Sequence, residues 1–254
     1  MMRSFERHTT IVKLLQNQEY VTIEAMAQAC DTSAQTIRRD LNALEDEGKV
    51  QRYHGGARLA GVVSSDTYET RSASHVEEKE VAARLLSRLV PDGSTLFLAG
   101  GSTLALSAQS LRDRENLTIV TNNLHAAMSL YDRTGFNLHI VGGAMRPASG
   151  SMTGEDAARF IERYSLDLAV IGTCGIDGEG SLLEYDQSLV PPLLAMIANA
   201  RETILVADAS KFAASGIVRG AHLRDVDHLV TSAKPSGAIA NLLAEHAVRV
   251  HHPA

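Results

Sequence analysis

The chain has 254 residues, 44% of them hydrophobic and 21% charged, and a formal net charge of −6. That length and balance fit one large or two modest globular domains and exclude a wholly disordered, fibrous or membrane-embedded chain, since no apolar run approaches the roughly 20 residues of a membrane helix. The N-terminus has no apolar signal core and the only two cysteines, Cys30 and Cys174, lie far apart, so the expected setting is reducing and cytoplasmic, with no membrane partner.

Charge is unevenly distributed. Residues 1–60 hold eight basic and eight acidic side chains, whereas residues 61–254 hold 16 basic and 22 acidic ones and carry the whole deficit. A neutral head on an acidic body predicts two parts with different partners. The expected division is a head over 1–58, a small-polar connection over 59–76 and a body over 77–254.

The head contains three short amphipathic patterns. Ile11, Leu14 and Leu15 mark the first, Ile23, Met26, Ala27 and Cys30 the second, and Ile37, Leu41 and Leu44 the third. Thr22 and Ser33 are N-cap candidates for the second and third, joined through Asp31 and Thr32, which makes a helix-turn-helix. At helical spacing Ile37, Leu41 and Leu44 face inward, and Gln35, Arg38, Arg39 and Asn42 share the opposite face. Two guanidinium forks and two amides suit base edges in a major groove, with Ser33 and Thr36 at the same helix start. The plainer alternative is a solvated face on which Arg38 and Arg39 pair with Asp40, Glu45 or Asp46.

After Gly48, residues 49–58 read as a β-hairpin with its tip at His54, Gly55 and Gly56. Lys49, Arg52 and Arg58 give this wing positive charge. We expect Arg52, His54, Gly55 and Arg58 to join the third helix in binding double-stranded DNA. Cys30 reads as core packing.

The body alternates strand-like and helical runs. Apolar runs at 96–99, 117–120, 138–141, 166–171, 204–207 and 226–230 are separated by amphipathic stretches including 104–111, 124–131, 157–164 and 238–247. That order predicts an α/β domain with a mainly parallel sheet. The run ending at Ala99 enters Gly100-Gly101-Ser102-Thr103 and then a helix, so backbone N–H groups and two hydroxyls converge on one point able to receive an anion. The spacing is neither a Walker A loop nor GxGxxG. Similar strand ends recur at 121–123, 142–143, 172–175 and 208–211, and in such sheets strand ends form the ligand crevice. Each could instead be a tight turn or helix cap. Lys211 offers a point charge for a phosphate; Asp208 either orients it or caps the turn.

An enzyme remains an alternative, a sugar-phosphate isomerase with an accessory DNA-binding head, for which Glu155, Asp177, Glu184 and Asp186 are the available carboxylate bases. No nucleophile motif, metal-ligand set or cofactor motif appears. Cys174 reads as packing, and His251-His252 as a frayed end. A third possibility is a body that serves only assembly.

Residues 33–44 and 54–57 of the head, with 77–79, 121–124, 141–143 and 206–212 of the body, resemble the DeoR family of bacterial regulators. Segments 92–97 and 175–184 are similar to the family's glycerol-3-phosphate branch. The resemblance implies a winged helix-turn-helix followed by a sheet of the sugar-isomerase and coenzyme A transferase type. It further implies a repressor acting on operator DNA as a homodimer or homotetramer, tuned by a phosphorylated sugar or polyol. On this likeness the effector meets Gly101, Ser102, Thr103, Asn122, Asn123, Gly142, Gly143 and Lys211. Two departures stand out: Ala99 replaces an acidic residue of many relatives, and Leu193-Leu194 replaces a Lys-Arg pair.

Overall fold

The computed structural model describes residues 4–17, 21–53, 55–59, 68–213 and 216–253. By contacts the chain divides into residues 1–66 and 67–254.

The first unit comprises α1 (Ser4–Asn17), β1 (Val21–Thr22), α2 (Ile23–Ala29), α3 (Ala34–Asp46), β2 (Val50–Tyr53) and β3 (Gly56–Leu59). Both expected caps form: Thr22 Oγ1 accepts from Ala25 N at 3.1 Å and Ser33 Oγ from Thr36 N at 3.2 Å, satisfying first-turn N–H groups. Gly48, at φ +67°, ends α3; its N–H and that of Lys49 reach back to the carbonyls of Glu45 and Leu44, a Schellman closure that needs the left-handed residue. Ile11, Leu15, Met26, Cys30, Ile37, Leu41 and Leu44 make one buried core. The strands order as β1-β3-β2, antiparallel, with β2 and β3 forming the wing.

The second unit opens with α4 (Tyr68–Ala73), within the stretch that the sequence reads as a connection, and α5 (Val76–Leu89). Then come β4 (Thr95–Leu98), α6 (Ser102–Leu111), β5 (Thr118–Thr121), α7 (Leu124–Leu130), β6 (Asn137–Ile140), β7 (Ala144–Arg146), β8 (Ser151–Thr153) and α8 (Gly154–Ile161). The remainder holds β9 (Leu166–Ile171), β10 (Gly175–Ile176), β11 (Ser181–Glu184), α9 (Val190–Ala198), β12 (Ala200–Val206), β13 (Val218–His222), β14 (His228–Val230), α10 (Gly237–Glu245) and β15 (Arg249–His251).

Seven strands form a parallel sheet in the order β15-β14-β12-β9-β4-β5-β6. The six apolar runs of the sequence supply six of them, and the burial of the central ones, as in Leu96, Phe97, Leu98, Ile119, Val120, Val170 and Ile171, is what a sheet covered on both faces requires, whereas the edge strand β6 is part-exposed. The chain winds outward from β4 to β6, returns to β9 beside β4, and winds outward again to β15. Right-handed crossovers therefore place α6 and α7 on one face and α9 and α10 on the other, with the reversal of direction between β4 and β9. β7-β8 and β10-β11-β13 form smaller antiparallel sheets. His251 is not part of a frayed end: it closes β15, which pairs with β14, and its Nε2 lies 2.9 Å from His228 Nδ1, whereas His252 follows the strand. Among the described residues no helix is long and apolar enough to cross a membrane.

Candidate DNA-binding face and effector cavity

On α3, Ile37, Leu41 and Leu44 are fully buried, whereas Gln35, Arg38, Arg39 and Asn42 are exposed, as is the cap Ser33; Thr36 is half-buried. The polar stripe thus lies opposite the core. Asp40 does not neutralise it. Its carboxylate turns inward to α1, where it accepts from Arg7 Nε at 2.7 Å and Nη2 at 3.0 Å and lies 3.2 Å from His8 Nε2. Burial pushes the Asp40 carboxyl up, but the bonds and charge of Arg7 outweigh it and hold the group below the usual carboxylate range. No carboxylate among the described residues pairs with Arg38 or Arg39.

The wing is tied to α3. Arg52 Nη1 donates to Asn42 Oδ1, and Arg52 N donates to Glu45 Oε1 at 3.0 Å, so strand and helix present one surface. Gly55, at φ +85°, makes the turn and is exposed. His54 lies outside the described residues. Arg58, on β3, pairs through its backbone with Gln51 on β2, and its side chain lies outside the description.

In the second unit a cavity of about 100 Å³ opens beside the ends of β4 and β9, where the sheet reverses direction. Gly101, Ser102, Thr103, Asn122 and Lys211 line it together, from three different strand ends. Gly101, at φ +117°, precedes α6, so the first-turn N–H groups of a ten-residue helix face the space. Gly100 is required by packing: a Cβ there would collide with Ser151 Oγ. Asn122 is buried; its Nδ2 donates to Met152 O at 2.9 Å, which leaves Oδ1 as a buried acceptor with no partner among the described residues.

Asn123, Gly142 and Gly143 do not line the cavity. Asn123 is fully buried and braces the loop behind it, donating to Ala99 O at 3.2 Å and Gly101 O at 3.0 Å and capping α7 through Ala126 N at 3.2 Å. Gly142 and Gly143 are exposed, and Gly143, at φ +128°, leads into β7.

Side chains that the sequence reading missed complete the lining. Arg71 comes from α4 and Arg146 from β7, with Ser149 from the β7-β8 turn and Ser151 from the start of β8. Arg146 Nε lies 3.5 Å from Asp186, and Arg71 Nη2 donates to Ala148 O at 3.4 Å. Their signal is absent locally because they reach the cavity from segments that fold back across the strand ends.

Of the four carboxylates weighed for catalysis, only Glu184 lines the cavity. Asp177 and Asp186 cap turns, accepting from Ser181 N and Ser188 N at 2.8 Å each, and Glu155 is exposed on α8. Burial raises Glu184 to about 7, against the opposing pull of Cys174, Arg71, Arg146 and Lys211. Cys174 Sγ donates to Glu184 Oε2 at 3.3 Å, and burial with that neighbouring carboxyl holds the thiol well above its ordinary range. It is a packing and hydrogen-bonding thiol. Asp208 caps its own turn, accepting from Ser210 N at 3.0 Å. Three cations thus face one carboxyl that is largely neutral below pH 7, an electrostatic setting for an anion.

Residues 7–61 match the model of the DeoR-like helix-turn-helix domain, and residues 74–233 match that of the DeoR C terminal sensor domain. The chain is 37% identical over 249 residues to the glycerol-3-phosphate regulon repressor of Escherichia coli (strain K12), covering 98% of this chain and 99% of that protein. It is 33% identical to the HTH-type transcriptional repressor CsqR of the same organism, covering 97% and 95%. Ribose 5-phosphate isomerase A from Methanocaldococcus jannaschii superposes on 55% of this chain and 56% of its own, with 19% identity and a TM-score of 0.41.

Proposed function

The chain belongs to the DeoR family, and we propose that it is a transcriptional repressor of a sugar or polyol operon whose affinity for operator DNA is set by a small phosphorylated effector. The observation that supports the first half is the exposed α3 stripe, on which Arg38 and Arg39 have no carboxylate partner among the described residues and Asn42 is tied to the wing through Arg52. Phosphate contacts from such groups position the protein, and the forks and amides read base edges. Binding two half-sites requires a symmetric oligomer, a homodimer or homotetramer, in the cytoplasm.

For the second half, the cavity supplies phosphate and hydroxyl chemistry side by side. Arg71, Arg146, Lys211 and the α6 N-terminus suit a phosphate, while the unpartnered Asn122 Oδ1 can accept from a ligand hydroxyl. Glycerol-3-phosphate, which carries both groups, is the first effector to test. Both family departures bear on it: Ala99 and Leu193 line the cavity, whereas Leu194 is exposed and does not. A leucine in place of a lysine in the wall removes one cation, so affinity for glycerol-3-phosphate should be weaker than with lysine there, or the natural effector less polar. Effector is bound without turnover: three of the four candidate bases cap turns or face solvent.

Thermal melts with a panel of sugar and polyol phosphates test the reading, since a native-state ligand raises the midpoint by mass action. Stabilisation by phosphorylated polyols and not by their unphosphorylated forms is the expected result. Indifference to every phosphate, or steady product formation from one, would overturn it.

A further inference from the structure

Lys79, in the first turns of α5, is 3% exposed and lines neither the α3 stripe nor the cavity. An ammonium has three N–H donors. All three are used: Nζ donates to Ser74 O at 2.8 Å, to Ser102 Oγ at 3.3 Å and, closely, to Arg71 O. Two of these acceptors are carbonyls at and just beyond the C-terminal end of α4, and Arg71 O also accepts from Ser74 N at 3.3 Å and Ser74 Oγ at 3.0 Å, so the amine joins a closed helix end. The third is a cavity hydroxyl at the start of α6. Accepting from Lys79 leaves the Ser102 O–H free to donate into the cavity.

α4 needs this fastening. It has six residues and none is buried, too short and too wet to hold by itself. Its holds on the body include the Lys79 cap at one end, Tyr68 stacked on His125 at the other with ring centroids 3.4 Å apart, and Arg71, whose side chain lines the cavity. It is also the first helix after residue 66, where the DNA-binding unit ends. We propose that Lys79 is a positioning residue that couples anion occupancy of the cavity to the order of α4, and so to the connection leading to the DNA-binding unit. This rests on the reading of the cavity as an anion site.

The charges around Lys79 give the coupling a chemical signature. Burial above all, with the like charges of Lys211 and Arg71, lowers its pKa to about 8, against the support of Asp208 and Glu78. An anion arriving at Ser102 adds favourable charge and draws a proton onto the amine. Near pH 8, where about half the population is neutral, binding should take up as much as roughly half a proton.

The test uses the full chain with glycerol-3-phosphate and inorganic phosphate as probes. Calorimetry at pH 8 in two buffers of different ionisation heat reads the proton, and hydrogen exchange over residues 68–74 reads α4. In the natural protein, saturating probe should slow that exchange several-fold with proton uptake. Lys79→Met should bind more weakly, with no slowing and with uptake reduced to the share of Glu184, which also faces the cavity, and Lys79→Arg should recover the slowing with uptake no larger than in Lys79→Met. Should Lys79→Met fail to fold, Ser102→Ala removes a single hydroxyl and should uncouple α4 at saturating probe. Binding by the natural protein with unchanged α4 exchange, or full slowing in Ser102→Ala, would overturn this proposal alone. If neither probe binds the natural protein, the effector reading falls and this proposal with it.

Discussion

Arg7 grips Asp40 through two hydrogen bonds, Nε to Oδ2 at 2.7 Å and Nη2 to Oδ1 at 3.0 Å, so α3 is pinned to α1 by a pair turned away from the exposed stripe of Gln35, Arg38, Arg39 and Asn42. Both side chains are largely buried. The sequence offers Asp40 as a neutraliser of its neighbours Arg38 and Arg39; the fold turns it the other way and leaves those guanidinium groups for a partner.

Asp40→Ala should therefore weaken DNA binding at a residue that touches no DNA. Removing the carboxylate that Arg7 holds through two hydrogen bonds should lower stability. Because the folded carboxyl titrates below its unfolded value, its contribution is present above the unfolded pKa and is lost as pH falls through the folded one. Urea unfolding of the natural protein and the variant at pH 7 and at pH 3 checks both statements: the gap between them should shrink in acid.

Glu184 gives the opposite sign. Its folded pKa of about 7 stands above the ordinary 4.5, so the folded state binds the extra proton between those values and stability falls as pH rises from 4.5 to 7. Above pH 7 the buried charge should cost about 3 kcal/mol in the ligand-free protein. Glu184→Gln should raise the thermal midpoint at pH 8 and leave it nearly unchanged at pH 4.5. Equal shifts at both values would mean that the carboxyl is not the source.

Leu193 and Leu194 can be told apart. Leu193 is buried in the cavity wall, and its Cδ2 and Glu184 Cγ both crowd the space above Gly220, whereas Leu194 is exposed. Leu193→Lys should tighten glycerol-3-phosphate by about tenfold, while Leu194→Lys should change nothing beyond error in calorimetry. A tenfold gain is about 1.4 kcal/mol, within reach of one well-placed cation. Equal responses at the two positions would show that the wall does not limit recognition.

Within α3 and the wing, Arg39→Ala should weaken binding and relax one base preference, since a fork reads an edge, while Arg52→Ala should weaken all sequences alike. Competition against a library of operator variants separates the two outcomes.

What was legible in the sequence was whatever depends on neighbours along the chain. Thr22, Ser33 and Gly48 act within one helical turn of where they stand, so caps and helix ends were readable, and unbroken apolar runs such as that ending at Ala99 announced covered parallel strands. The strand-end rule picked Gly101, Ser102, Thr103, Asn122 and Lys211, which the fold brings to one cavity. It also picked Asn123, Gly142 and Gly143, because composition cannot distinguish a loop brace from a lining group. Arg71 and Arg146 escaped for the converse reason: each is brought in by a segment whose return path is set by tertiary packing. The antiparallel strands β7, β8 and β10 carry two or three residues each, too few for any period to register, and β11, β13 and β15 are fixed by their pairing with neighbours.

Operator binding by the full chain, measured against salt with and without glycerol-3-phosphate on a duplex selected from a random pool, bears most directly on whether effector and DNA are coupled. With two heads each neutralising about three phosphates, log K should fall with log salt at a slope of about −5, and saturating effector should shift operator affinity at least fivefold at fixed salt. Deletion of residues 1–66 should leave effector binding in place. An operator affinity indifferent to effector that calorimetry shows to be bound would contradict the coupling.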